Sequence, residues 1–145
     1  MKTIFAKKTD VTKKWHIVDA DGMVVGRLAS QVAKILRGKN KAIFTPNIDT
    51  GDFVIVVNAK KARFTGNKLS DKLYYRHSGY PGGIRKENAR DIMETRPERI
   101  IEAAVRGMLP KNRLGRRQFS KLKVYSGPDH PHTSQSPEPL NITIL

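Results

Sequence analysis

Two apolar rhythms alternate along the chain, one suited to strands and one to a helix. Trp15-His16-Ile17-Val18-Asp19-Ala20 is short and rich in β-prone residues, and the Asp21-Gly22 turn signal closes it. From Gly26 to Arg37 the spacing changes. Leu28, Val32, Ile35 and Leu36 recur at helical intervals with Ala29 and Ala33 between them, and Gly38 stands where a helix C-cap belongs. Lys34, Arg37, Lys39 and Lys41 fall at or just past the last turn, where cations suit the helix dipole. Phe53-Val54-Ile55-Val56-Val57 is then an unbroken apolar run introduced by Thr50-Gly51. A continuous run predicts a strand covered on both faces, as in a parallel sheet flanked by helices. Strand, helix and strand in that order form a βαβ unit, and the fold class is α/β.

The later pattern is weaker. Ala62-Arg63-Phe64 and Leu73-Tyr74-Tyr75-Arg76 are strand candidates separated by a turn at Gly66-Asn67, and residues 78–86 read as a glycine-rich loop. One helix is predicted over Glu87–Thr95. A second starts at Pro97 with Glu98 in its first turn, carries the stripe Ile100, Ile101, Ala104, Val105 and Met108, and ends at Pro110. A short helix within 111–121 and a strand at Leu122–Tyr125 complete the prediction. The organisation is a basic, extended N-terminal arm (1–14), one α/β domain (15–126) and a proline-rich C-terminal tail (127–145) that should be extended and poor in packing. There is no internal repeat.

Charge turns this outline toward a partner. The chain has 145 residues, with 28 Lys and Arg against 13 Asp and Glu, a formal charge of +15. That excess costs self-repulsion in the free protein and is accounted for by a polyanion. A membrane-surface protein would gather its cations on one amphipathic helix beside an apolar face, and no segment does so. There is no Cys, which excludes disulfides, thiol catalysis and Cys-ligated zinc in this chain. Neither a signal peptide nor a membrane-spanning run is visible, so the expected location is the cytoplasm.

The cations are also unevenly placed. From Ala103 to Pro128 there is no carboxylate, yet Arg106, Lys111, Arg113, Arg116, Arg117, Lys121 and Lys123 all lie there. A solvated face usually mixes signs, so this stretch points to phosphates lying over it. Lys60, Lys61 and Arg63, and Lys68 with Lys72, flank the middle strands, while Arg85, Lys86 and Arg90 follow the glycine loop. Tyr74, Tyr75, His77 and Tyr80 interleave with Lys72, Arg76 and the glycines; one of the tyrosine pair should be core, and His77 and Tyr80 could stack on unpaired bases. The spread suits a folded RNA approached from several sides. A DNA-binding regulator would show a helix-turn-helix, finger or zipper spacing, and none is present. The predicted RNA-binding residues are Lys60, Lys61, Lys68, Lys72, Arg76, His77, Tyr80, Arg85, Lys86, Lys111, Arg113, Arg116, Arg117, Lys121 and Lys123.

Catalytic motifs are thin. Asp49-Thr50-Gly51 matches the aspartic-protease tripeptide, but a second carboxylate would be needed, and a turn into the strand explains it better. Asp129, His130 and His132 lie in the tail without a rigid scaffold for a metal, and phosphate or RNA contact suits them better. Gly22 and Gly26 sit where α/β proteins cradle phosphates, yet their spacing is neither a Walker loop nor a dinucleotide fingerprint. An RNA-processing enzyme would require a converging acid/base or metal cluster, and none is found. No cofactor, catalytic residue, metal or small-molecule substrate is expected.

Val105-Arg106-Gly107-Met108-Leu109-Pro110-Lys111-Asn112, then Leu114-Gly115-Arg116 and Lys121-Leu122-Lys123-Val124-Tyr125, resembles the signature of the large-subunit ribosomal protein thirteen family. Gly26-Arg27-Leu28-Ala29-Ser30, Asp49-Thr50-Gly51-Asp52, Thr65-Gly66-Asn67-Lys68 and the Tyr75–Gly83 loop agree with its bacterial form, so the resemblance covers essentially the whole chain. It implies a three-layer α/β/α fold with a small, mainly parallel four-stranded sheet. It further implies direct binding to large-subunit ribosomal RNA early in assembly, a lasting structural place beside neighbouring ribosomal proteins, and, in some members, binding of their own messenger RNA to repress its translation. The tail, with Pro137-Glu138-Pro139 and Ile142-Thr143-Ile144-Leu145, departs most from the family pattern.

Overall fold

The computed structural model describes residues 3–142; the outer ends of the predicted arm and tail, residues 1–2 and 143–145, lie outside the described residues. Four parallel strands form the central sheet. β1 (Trp15–Asp19) and β2 (Phe53–Val57) pair from Trp15↔Phe53 to Asp19↔Val57, joined through α1 (Val25–Arg37) as the hydrophobic rhythm predicts. Gly38 takes the left-handed conformation at the C-cap of α1 and closes it with N–H bonds to the Lys34 and Ile35 carbonyls.

Between β2 and the next sheet strand the chain builds α2 (Lys68–Asp71), the antiparallel hairpin β3 (Leu73–His77) and β4 (Ile84–Asn88), and then α3 (Ala89–Thr95), α4 (Glu98–Met108) and α5 (Arg113–Phe119). β5 (Leu122–Val124) pairs with β2, and β6 (Glu138–Pro139) pairs with β1, giving the order β5-β2-β1-β6.

This order explains the layers. The path β1 to β2 to β5 runs one way across the sheet, so right-handed crossovers place their helices on one face. The step from β5 to β6 runs back the other way and therefore crosses the opposite face. That connection carries the short 3-10 turn Thr133–Gln135 and seats His132 against Trp15, ring centres 5.2 Å apart. The strands alternate accordingly. Val18, Val54, Val56 and Leu122 join Leu28, Val32, Leu36, Ile100, Ile101 and Val105 in the main core under α1 and α4. Trp15 and Phe53 stack at 4.3 Å on the other face.

Several expectations change. Ala62–Phe64 is not a strand; only Arg63 bridges Val24. The 78–86 loop ends at Gly83, because Ile84–Asn88 is strand β4, and the helix predicted from Glu87 begins at Ala89. The arm is not simply extended: it makes a 3-10 turn at Lys8–Asp10, buries Ala6 and donates the Ala6 N–H to Thr45 Oγ1. Nor is the described tail poorly packed, since Leu140 and Ile142 lie against the core and Glu138–Pro139 supplies the fourth strand. Pro139 can do this because β6 is an edge strand, where a missing N–H costs no ladder bond. No helix among the described residues is long and apolar enough to cross a membrane.

The turn before β2 gathers the residues at the N-terminal ends of the parallel strands. Asp52 is buried; it accepts from the Lys14 N–H at 2.9 Å and the Lys41 ammonium at 2.6 Å, with His16 Nε2 at 3.3 Å. Burial pushes its carboxyl up, but the Lys14 N–H, Lys41 and His16 outweigh that and hold it below the ordinary carboxylate range. Gly51 must be glycine on space alone: a Cβ there would lie 1.8 Å from the Leu36 carbonyl oxygen.

Candidate nucleic-acid interface

The β3–β4 hairpin carries the most telling charge arrangement. Its register places Arg76 directly opposite Arg85 and Tyr75 opposite Lys86. Both arginines are exposed, and neither has a carboxylate partner among the described residues. Like charges facing each other across an antiparallel pair destabilise it in isolation, so the arrangement suits an anion bound between them. Alternation along β3 half-buries Tyr74 against the core and leaves Tyr75 63% exposed, which resolves the tyrosine pair. Tyr80, 76% exposed, stands in the tip, where Gly79 and Gly82 adopt left-handed conformations and His77 Nδ1 accepts the Gly79 N–H at 2.9 Å. Leu73 and Ile84 are exposed on the same ribbon face as Tyr75, giving stacking surface beside Lys86.

A second basic region lies where α4 meets α5. Asn112 caps α5 by accepting the Gly115 N–H at 2.8 Å. Gly115 packs on Pro110 so closely that a Cβ would lie 1.7 Å from the proline carbonyl oxygen. With the helix fixed in this way, Arg113, Arg116 and Arg117 are all exposed, and the i,i+3 and i,i+4 spacings keep them on one side of the helix. Lys111, Arg106 and Arg116 line one depression whose floor includes Ala103, Gly107 and Gly115. Arg106 lies over the Phe119 ring at 5.7 Å. The small floor residues would let a sugar–phosphate backbone come close, and the cations supply its counter-charge.

Arg27, Lys68 and Lys72 line an adjoining depression with Tyr74, the Lys72 ammonium lying 5.4 Å from the Tyr74 ring centre. Arg27 joins this candidate site and is absent from the predicted set. Its signal was a cation in the first turn of α1, where the dipole disfavours one and no acid is present to offset it. Arg106 was noticed in the carboxylate-free stretch but left out of the predicted set.

A third cluster stands at the C-terminal ends of the parallel strands. Lys60 and Lys61 follow β2, and Lys61 makes an exposed 3.2 Å pair with Asp21, which a phosphate could replace at little cost. Lys123 does not join this cluster: it lies mid-strand on β5, opposite Ile55, and is half-buried.

Lys121 corrects the prediction. It is 3% exposed, and its ammonium donates to Asp49 Oδ1 at 2.5 Å and to the Leu36 carbonyl at 3.1 Å. Burial lowers its pKa, against the opposing pull of Asp49. A phosphate cannot reach it. The stretch without carboxylates therefore borrows one from the turn before β2, and this is also what occupies the Asp49-Thr50-Gly51 tripeptide. The tail histidines are likewise committed to packing: His132 Nε2 and Tyr125 Oη lie 2.6 Å apart in a hydrogen bond, and the His130 and His132 rings stack. Of the fifteen predicted residues, thirteen are exposed.

Comparison with known proteins identifies the family. Residues 13–131 match the model of the family described as Ribosomal protein L13. "Large ribosomal subunit protein uL13" of Syntrophotalea carbinolica is 61% identical over 142 residues, covering 98% of this chain and 100% of that protein. Its namesake in Symbiobacterium thermophilum is 57% identical, covering 97% and 99%, and the one in Dictyoglomus thermophilum is 58% identical, covering 98% and 100%. These are structural proteins rather than enzymes. An α/β core with a four-stranded, mainly parallel sheet, a family match across most of its length and full-length relatives at this identity together establish that the chain belongs to the ribosomal protein L13 family.

Proposed function

We propose that this protein is a structural constituent of the cytoplasmic large ribosomal subunit, that it binds large-subunit ribosomal RNA directly, and that it does so early in subunit assembly beside neighbouring ribosomal proteins. The observation that carries the reading is the Arg76–Arg85 pairing, a repulsive arrangement in the free chain that a phosphate turns into a clamp. Residues 15–126 serve as the RNA-binding domain, with the arm 1–14 and tail 127–145 tied to it.

The mechanism is electrostatic and architectural. A rigid α/β core holds three groups in fixed relation: the hairpin (Arg76, His77, Tyr80, Arg85, Lys86), the α4–α5 corner (Lys111, Arg113, Arg116, Arg117) and the sheet cations (Lys60 and Lys61 after β2, Lys123 mid-strand on β5). Lys68 and Lys72 lie between the first two. Each phosphate contacted releases counterions, so binding free energy comes largely from salt release, and selectivity comes from where an RNA fold brings its strands together. The chain's own messenger would be bound by the same surface wherever it presents a similar fold.

With about eight phosphates neutralised, log K should fall against log salt with a slope of roughly −6 to −7. Replacing Arg116 and Arg117 by Ala should weaken binding to protein-free large-subunit ribosomal RNA and flatten that slope by up to about 2. An unchanged slope removes α5 from the interface.

A further inference from the structure

The depression between α1, α2, β3 and α4 joins aromatic and apolar side chains to cations that have no carboxylate partner among the described residues. It encloses about 530 Å³ and is lined by Val24, Phe64, Tyr74 and Met108, with Arg27, Lys68 and Lys72 also in its wall. That size falls in the range of small-molecule sites, which combine an apolar body with a few placed polar groups. No carboxylate lines it, and none of the three cations is in an ion pair among the described residues. Lys72 is instead held over the Tyr74 ring. Thr65 adds a hydroxyl to the wall, and the first-turn N–H groups of Gly26 and Arg27 find no acceptor among the described residues.

An occupant must therefore offer a flat apolar body and a negative charge together, and a nucleotide has both. We propose that this cavity receives a single unpaired nucleotide extruded from the bound RNA, its base among Phe64, Tyr74 and Met108 and its phosphate held by Arg27, Lys68 and Lys72. The inference rests on the RNA-binding reading above and adds one point to it: here a single base enters a cavity, whereas the hairpin offers an open stacking surface. An extruded RNA nucleotide is preferred to a free one because the cavity adjoins the basic depression of the α4–α5 corner, with Ala103 lining both.

Gly26 gives a clean test. It lines the cavity, and a Cβ built there meets nothing within 4 Å, so Gly26→Leu should fill the cavity without disturbing the fold. Thr65→Trp, from an exposed lining position on the segment that runs beside the start of α1, is the second variant, and a thermal melt of each checks folding. The full-length chain is titrated with protein-free large-subunit ribosomal RNA containing 4-thiouridine, across a salt series, and photocrosslinked peptides are mapped.

A base held by stacking is worth roughly ten-fold in affinity, and that part is insensitive to salt. Both folded variants should then lose about ten-fold while keeping the wild-type slope, and crosslinks to the 64–74 segment should disappear. Lys68→Ala with Lys72→Ala should flatten the slope instead. Wild-type affinity and crosslinks in both filled variants overturn the proposal while leaving RNA binding by the protein intact. Failure of the wild-type protein to bind the RNA at all removes the reading on which the proposal rests. A parallel dialysis with adenosine monophosphate and uridine monophosphate separates the sources. Saturable binding of a free nucleotide, abolished by Gly26→Leu while RNA affinity stays at the wild-type level, assigns the cavity to a free nucleotide and overturns the extruded one.

Discussion

Lys121 and Arg116 stand in the same carboxylate-free stretch of sequence and do different work. Arg116 is exposed on a capped helix and free to meet phosphate, whereas Lys121 is buried on Asp49 and the Leu36 carbonyl. Lys121→Ala should consequently behave as a core variant. It leaves Asp49 with only the 3.1 Å Lys13 pair and should cost about 3 kcal/mol of unfolding free energy in denaturant melts, with the RNA salt slope unchanged. Asp52 supplies the pH dependence. Its folded-state pKa is depressed, so the stability it contributes is present above the unfolded carboxylate value near about 4 and is lost as pH falls through that value and then the folded one. Asp52→Asn should lower stability at neutral pH and shrink the difference between neutral and acid melts; an undiminished acid sensitivity would assign it to other carboxylates. The local sequence shows Lys121 as one more cation. Its partner lies in the turn before β2, and only the pairing of β2 with β5 brings the two together.

At the scale of elements, the hairpin joins weak self-stability to binding. Arg85→Glu should convert the repulsive Arg76 pair into an attractive one, stabilising the free hairpin by about 0.5 kcal/mol while weakening RNA binding. Amide exchange across residues 73–88, compared with RNA affinity, checks the two effects together; a gain or loss in both would disconnect the pair from RNA. The elements most legible in sequence are those with their own hydrophobic rhythm, β1, α1, β2 and α4, while β3, α5 and β5 were placed from weaker patterns. β4 was not, because Ile84-Arg85-Lys86-Glu87-Asn88 contains one apolar residue and is a strand only through its pairing with β3. β6 was hidden for a related reason. Pro137-Glu138-Pro139 carries a turn-like composition, and the free edge of β1 recruits it. The exposed cations of the interface were legible from charge alone. Arg27 was lost because a single arginine at a helix start looks ordinary until Lys68 and Lys72 are folded beside it.

The whole molecule carries +15, and the described ion pairs engage only Lys13, Lys14, Lys41, Lys61, Arg99 and Lys121 among its lysines and arginines. The remainder repel one another in the free chain. Added salt should therefore raise the melting temperature of the free protein over the range in which it weakens RNA binding, since screening relieves the first and removes the second. The most direct test of the account is saturable binding of the purified chain to protein-free large-subunit ribosomal RNA, measured across salt with excess transfer RNA as competitor. The account predicts binding that survives the competitor, with a slope of roughly −6 to −7. Binding abolished by the competitor would reduce the surface to a generic polycation and contradict it.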